Sequence, residues 1–119
     1  HLLDVEIALG WRLRHIAGDD DPRIVPFDQD KWATRLGYES MDPKACLAAY
    51  AALRAVTVDL AKRLTKDQLA REALHPEYGS ISVAWILERF AKHDAAHVEQ
   101  MERTAKAFAA SQRSNRRRA

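Results

Sequence analysis

Cysteine is nearly missing from this chain: Cys46 is the single one, so no disulfide can form within it and a Cys-ligated zinc site is excluded. A reducing compartment is the expectation, with the cytoplasm as the default. Glycine and proline number only four each in 119 residues, and long stretches hold neither, which argues against a turn-rich all-β fold. No apolar run approaches the roughly 18 residues needed to span a bilayer, and nothing resembles a signal peptide, so no membrane partner is expected. A strong excess of either charge is lacking too. The formal charge of +2 rests on Arg113, Arg116, Arg117 and Arg118; the other 15 basic side chains face 17 acidic ones. The body is therefore mildly acidic, and residues 111–119 read as a disordered basic tail rather than a nucleic-acid contact.

What is present points to helices. The apolar share of 47% is that of a small globular core, and the length fits one domain, placed at residues 1–110. From His1 to about Ala17, Leu2, Val5, Leu9, Leu13 and Ile16 recur at steps of three and four, while Leu3, Ile7 and Trp11 give a second apolar side. A helix apolar on two sides needs two packing partners. Because no capping residue precedes the pattern, the start reads as cut from inside a helix. Residues 18–42 form a long connection whose segment 26–32 can include a helical turn, and whose Phe27 and Trp32 argue that it packs. Asp42-Pro43 opens a second long helix to about Leu64, and Thr65 can cap a further turn. His75-Pro76-Glu77-Tyr78-Gly79 must be irregular. Ser80 or Ser82 caps a last helix running to about Ala110. The fold class is all-α.

His93 and His97 stand four apart, so their imidazoles project from one face of the last helix and can reach one ion. They share a stripe with Ile86 and Phe90, where a buried imidazole needs a ligand or a hydrogen-bond partner. The bland alternative is a satisfied pair of core histidines. The segment is not the zinc-protease helix, since Asp94 stands where that motif carries its glutamate base. A third ligand must come from another helix; His1 is the candidate, with Asp4 one turn along, whereas His15 lies about 21 Å further down the same helix. Asp4 could brace an imidazole N–H, or complete a two-histidine, one-carboxylate iron site. Gln100, one turn beyond His97, could orient a water or substrate. Asp94 points about 100° away from His93 and reads as a surface or interhelical partner. His75 and Tyr78, about 20 Å from His93, are expected to fix the turn into the last helix, and Trp11, Trp32 and Trp85 to serve packing.

His1-Leu2-Leu3-Asp4-Val5-Glu6, Phe27-Asp28-Gln29-Asp30-Lys31-Trp32, His75-Pro76-Glu77-Tyr78-Gly79 and His93-Asp94-Ala95-Ala96-His97-Val98-Glu99-Gln100 occur in an order that resembles the DinB/YfiT-like superfamily of helical metalloproteins, which is distinct from the similarly named DNA polymerase. The resemblance covers residues 1 to about 108. It implies a four-helix bundle with a long crossover, lacking here a counterpart of the family's first helix, and a divalent zinc, nickel or iron ion on His1, His93 and His97. It also implies one of two activities on a small-molecule substrate: S-transfer using a low-molecular-weight thiol, or metal-dependent hydrolysis. Which residues are catalytic is not implied. Three neutral imidazoles leave an ion an open position, the arrangement of catalytic zinc. The competing classes are a metal-binding stress-response module without turnover and a structural helical homodimer.

Overall fold

The computed structural model describes residues 1–118. Its order is α1 (Leu2–Gly18), α2 (Gln29–Arg35), α3 (Pro43–Arg63), α4 (Lys66–Ala70), β1 (Glu72–His75), β2 (Gly79–Ser82) and α5 (Val83–Arg118), with a short 3-10 turn at Tyr38–Ser40. The chain divides into two compact units, His1–Glu88 and the part of α5 from Arg89 onward. Among the described residues, no helix is long and apolar enough to cross a membrane.

In the first unit, Val5, Leu9, Leu13 and Ile16 turn the predicted stripe of α1 inward. The second apolar side stays open, with Ile7 and Trp11 each half exposed. Helix α1 packs on α3, and the contact is partly polar: Arg54 Nε donates to Glu6 Oε2 at 2.6 Å, Glu6 is fully buried, and Thr57 lies beside them. Arg71 closes the C-terminal end of α1, its Nε donating to the Ile16 carbonyl at 2.7 Å, which satisfies one of the acceptors a helix leaves unpaired at that end.

The helix starts follow their capping chemistry. Asp28 accepts from Lys31 N at 3.0 Å, and Asp42 accepts from Lys44 N at 2.9 Å with Pro43 in the first turn. Thr65 and Gln68 form a reciprocal capping box on α4, and Ser82 Oγ accepts from Trp85 N at 3.1 Å. Gly37, at φ 64°, supplies the left-handed residue that ends the crossover's helical segment.

The fold is mostly helical, as expected, and carries in addition one small hairpin: β1 and β2 pair antiparallel around the 75–79 turn, with Ala73 opposite Ile81 and His75 opposite Gly79. Ala73, His75 and Ile81 are buried while Leu74 is exposed, so an apolar residue faces out and a polar one faces in, and the alternation that advertises a strand is inverted. The last helix does not stop near Ala110, and residues 111–118 are helical rather than a disordered tail. After Gly79 the chain holds no glycine or proline, and alanine, glutamine and arginine propagate a helix readily. Ala119 lies outside the described residues. In the second unit Phe90 is buried, whereas Val98, Met101 and Phe108 are half exposed or more.

Candidate metal centre

The centre is built on α5, whose 3.6-residue period brings side chains four apart onto one face. The rings of His93 and His97 lie 4.5 Å apart, centroid to centroid, in an edge-on arrangement. Each imidazole has an acceptor at Nδ1. His93 Nδ1 lies 3.2 Å from Asp94 Oδ1, and His97 Nδ1 lies 2.8 Å from Gln100 Oε1. A carboxylate and an amide oxygen can only accept, so in the neutral form of both rings the proton sits on Nδ1 and the lone pair is at Nε2. That is the tautomer a histidine adopts when its outer nitrogen is reserved for a metal and its inner one is anchored by an acceptor. The donor chemistry therefore fits a divalent ion.

The remaining sequence-selected residues are placed as follows. His1 is the exposed N-cap residue of α1, in the first unit. Asp4 accepts a hydrogen bond from the Tyr38 hydroxyl at its Oδ2, at 2.5 Å, which ties α1 to the crossover. Burial first, and then this bond and the carboxylate charge, push the Tyr38 phenol up to about 12. Gln100, expected to orient a bound water or substrate, places its Oε1 against His97 Nδ1. Asp94, read as a surface or interhelical partner, is only 17% exposed and braces its own neighbour His93, itself 19% exposed. The 100° offset between adjacent helix positions does not prevent this, because both side chains bend toward each other over one backbone step. Tyr38 was missed altogether; its signal was faint, a lone aromatic after Gly37 in a connection rich in polar residues.

His15 is occupied elsewhere. It pairs with Asp19, accepts from Arg23 N at 3.0 Å, and stacks on Trp11 at 4.5 Å. His75 fixes its turn as expected, its Nδ1 accepting from Glu77 N at 3.1 Å and from Tyr78 N at 3.3 Å. Trp85 stacks on Tyr78 at 5.5 Å and Trp32 on Phe27 at 4.7 Å, so the tryptophans serve packing.

Comparison with known proteins gives a consistent picture. The sequence model described as the DinB superfamily matches residues 1–101. Two proteins of Oceanobacillus iheyensis are similar: OB0413, 28% identical over 102 residues, and OB0782, 29% identical over 104, each named "putative metal-dependent hydrolase". The matches cover 86% and 85% of this chain, but 58% and 60% of those proteins, so the chain spans less than two thirds of their length. Among solved structures, YfiT from Bacillus subtilis superposes with a TM-score of 0.72 at 26% identity, over 87% of this chain and 61% of YfiT. YfiT is described as a probable metal-dependent hydrolase with an unusual four-helix bundle topology.

Proposed function

Because this chain belongs to the DinB superfamily, we propose that it is part of a metal-dependent hydrolase whose ion is held by His93 and His97 of α5 and by His1. The observation that carries this reading is the pair of imidazoles on α5, each anchored at Nδ1 and each presenting Nε2. The names of the two Oceanobacillus relatives and of YfiT support it. Zinc, nickel and iron all accept imidazole nitrogen.

A divalent ion in such a site supplies Lewis-acid activation of a coordinated nucleophile near neutral pH. The chain's own work is to orient the ligands. Asp94 holds His93 and lends it negative charge, while Gln100 holds His97 without adding charge. With three neutral ligands the ion keeps its full charge and at least one position open to water, which fits hydrolysis of a small substrate. The same open position would take the sulfur of a low-molecular-weight thiol, giving S-transfer as the second reading. Asp4 is engaged by Tyr38, which weighs against a two-histidine, one-carboxylate oxygenase.

Elemental analysis with native mass spectrometry on the protein and on His97→Ala tests the proposal. About one ion per chain, lost in the variant while the helical circular-dichroism signal stays, is the expected result. A protein that takes up no ion after reloading with zinc, nickel or iron would overturn it. Activity screens on small esters and amides, with and without added thiol, then separate hydrolysis from transfer.

A further inference from the structure

The contact between α1 and α3 buries a carboxylate that is satisfied on one side only. Glu6 is 1% exposed. Its Oε2 accepts from Arg54 Nε at 2.6 Å, but its Oε1 is buried with no hydrogen-bond partner among the described residues. A carboxylate oxygen so placed forfeits its hydration without compensation. In folded proteins such atoms are ordinarily satisfied, by another protein group or by ordered water.

Gly10 marks the place that this oxygen faces. Glu6, Gly10 and Arg14 follow one another at steps of four along one face of α1, and Gly10 is buried. A Cβ at Gly10 would meet Arg14 Nη1 at 3.3 Å, Thr57 Oγ1 of α3 at 3.4 Å and Glu6 Oε1 at 4.0 Å. Its three nearest neighbours beyond the adjacent residues and the helix backbone are thus all polar. Thr57 is 4% exposed, while Arg14 reaches in from the exposed side, its Nη1 also donating to the Gly10 carbonyl at 2.8 Å. An acceptor, a hydroxyl and a guanidinium N–H therefore converge where glycine brings no side chain of its own. The two arginine charges beside the carboxylate disfavour a metal cation, and the carboxylate disfavours an anion. A small neutral molecule that both donates and accepts is what this set suits.

We propose that Glu6 Oε1, Thr57 Oγ1 and Arg14 Nη1 hold one water molecule over Gly10, as a fixed part of the α1–α3 contact. A buried water typically makes about three hydrogen bonds to groups that would otherwise be unsatisfied. Here it donates to Glu6 Oε1 and to Thr57 Oγ1 and accepts from Arg14 Nη1. The glycine is then accounted for as well. Alanine would serve the helix better, yet its methyl would crowd Arg14 and Thr57 and take the water's room. The site lies wholly within the first unit, and the inference depends neither on a bound metal ion nor on any activity.

The test counts long-lived waters by oxygen-17 magnetic relaxation dispersion in the protein, in Gly10→Ala and in Thr57→Val. Each variant should lose the dispersion amplitude of one water. Urea unfolding supplies an independent readout. Gly10→Ala should lower the midpoint, against the rise usual when a helical glycine becomes alanine. In the Glu6→Leu/Arg54→Met background no carboxylate is left to strand, so there the drop should shrink or reverse. A drop that persists undiminished in that background would mean that the methyl merely clashes with Arg14 or Thr57, and it would overturn the proposal. So would an unchanged water count in either variant, or a Gly10→Ala midpoint above that of the parent. Should Gly10→Ala fail to fold, Thr57→Val, which replaces the hydroxyl by a methyl of similar shape, decides by its water count alone.

Discussion

Asp94 and Gln100 are the residues by which the proposed centre can be tested without touching a ligand. Partners that anchor a metal-binding imidazole typically change metal affinity by about 10–100-fold when removed, or about 1.4–2.7 kcal/mol. Distance alone would rank Gln100 first, since its bond to His97 is 2.8 Å and that from Asp94 to His93 is 3.2 Å. Charge and shielding reverse the order. Bonds to an ionised acceptor are roughly twice as strong as neutral ones, and Asp94 is well shielded whereas Gln100 is exposed to competing water. Asp94→Ala should therefore fall near the hundredfold end and Gln100→Ala near the tenfold end. Asp94→Asn, which restores an acceptor but not the charge, should fall between Asp94→Ala and the parent, and Gln100→Glu should bind more tightly than the parent. Alanine raises helix propensity, so α5 should persist in both truncations. Competition against a chromophoric chelator, with circular dichroism as the control for folding, measures all four. Unchanged affinity in both alanine variants, or a larger loss for Gln100 than for Asp94, would refute the reasoning.

Three further outcomes follow from the first unit. Arg54→Met strands the buried Glu6 carboxylate and should cost about 2–3 kcal/mol in urea unfolding, below the full penalty for breaking a buried pair because Arg54 is itself a quarter exposed; the double variant Glu6→Leu/Arg54→Met should recover most of it. Tyr38, held protonated up to about 12 against an ordinary 10.0, contributes stability that is complete below about pH 10 and is lost as pH rises through about 12. An ultraviolet titration of the three tyrosines should show one late phenolate that Tyr38→Phe removes. His75 runs the other way: burial and Arg12 hold its pKa below 6.5, so its contribution is complete above about pH 6.5 and is lost as pH falls through the depressed value. The acid limb of a stability profile should flatten in His75→Asn.

Much of the helical frame was legible because it depends on local chemistry. Asp42-Pro43, Thr65 with Gln68, and the Leu9–Leu13–Ile16 stripe each announce an element through nearest neighbours. The hairpin was not, since Leu74 outside and His75 inside reverse the usual pattern. At the candidate centre, the spacing of His93 and His97 was readable, and so was Gln100 on their face. What the sequence could not say is which acid served which partner. Asp4's partner depended on where the crossover brought Tyr38, while Asp94 lies against its own neighbour His93. Glu6 and Arg12 stood in plain view on the apolar stripe of α1, and a charged residue on such a stripe is itself a sign of a buried polar contact.

The junction between β2 and α5 has no linker: Ser82 ends the strand, caps the helix, and Val83 begins it. This divides the chain into places where evolution can change its length and a place where it cannot. The connection from Gly18 to Asp42 can gain or lose residues at modest entropic expense. One residue inserted just after Ser82 would turn every later side chain of α5, His93 and His97 included, by about 100° and advance it about 1.5 Å. Among descendants of this gene, insertions should therefore accumulate before α3, and the twelve residues from Ser82 to His93 should keep their number even where their identities drift.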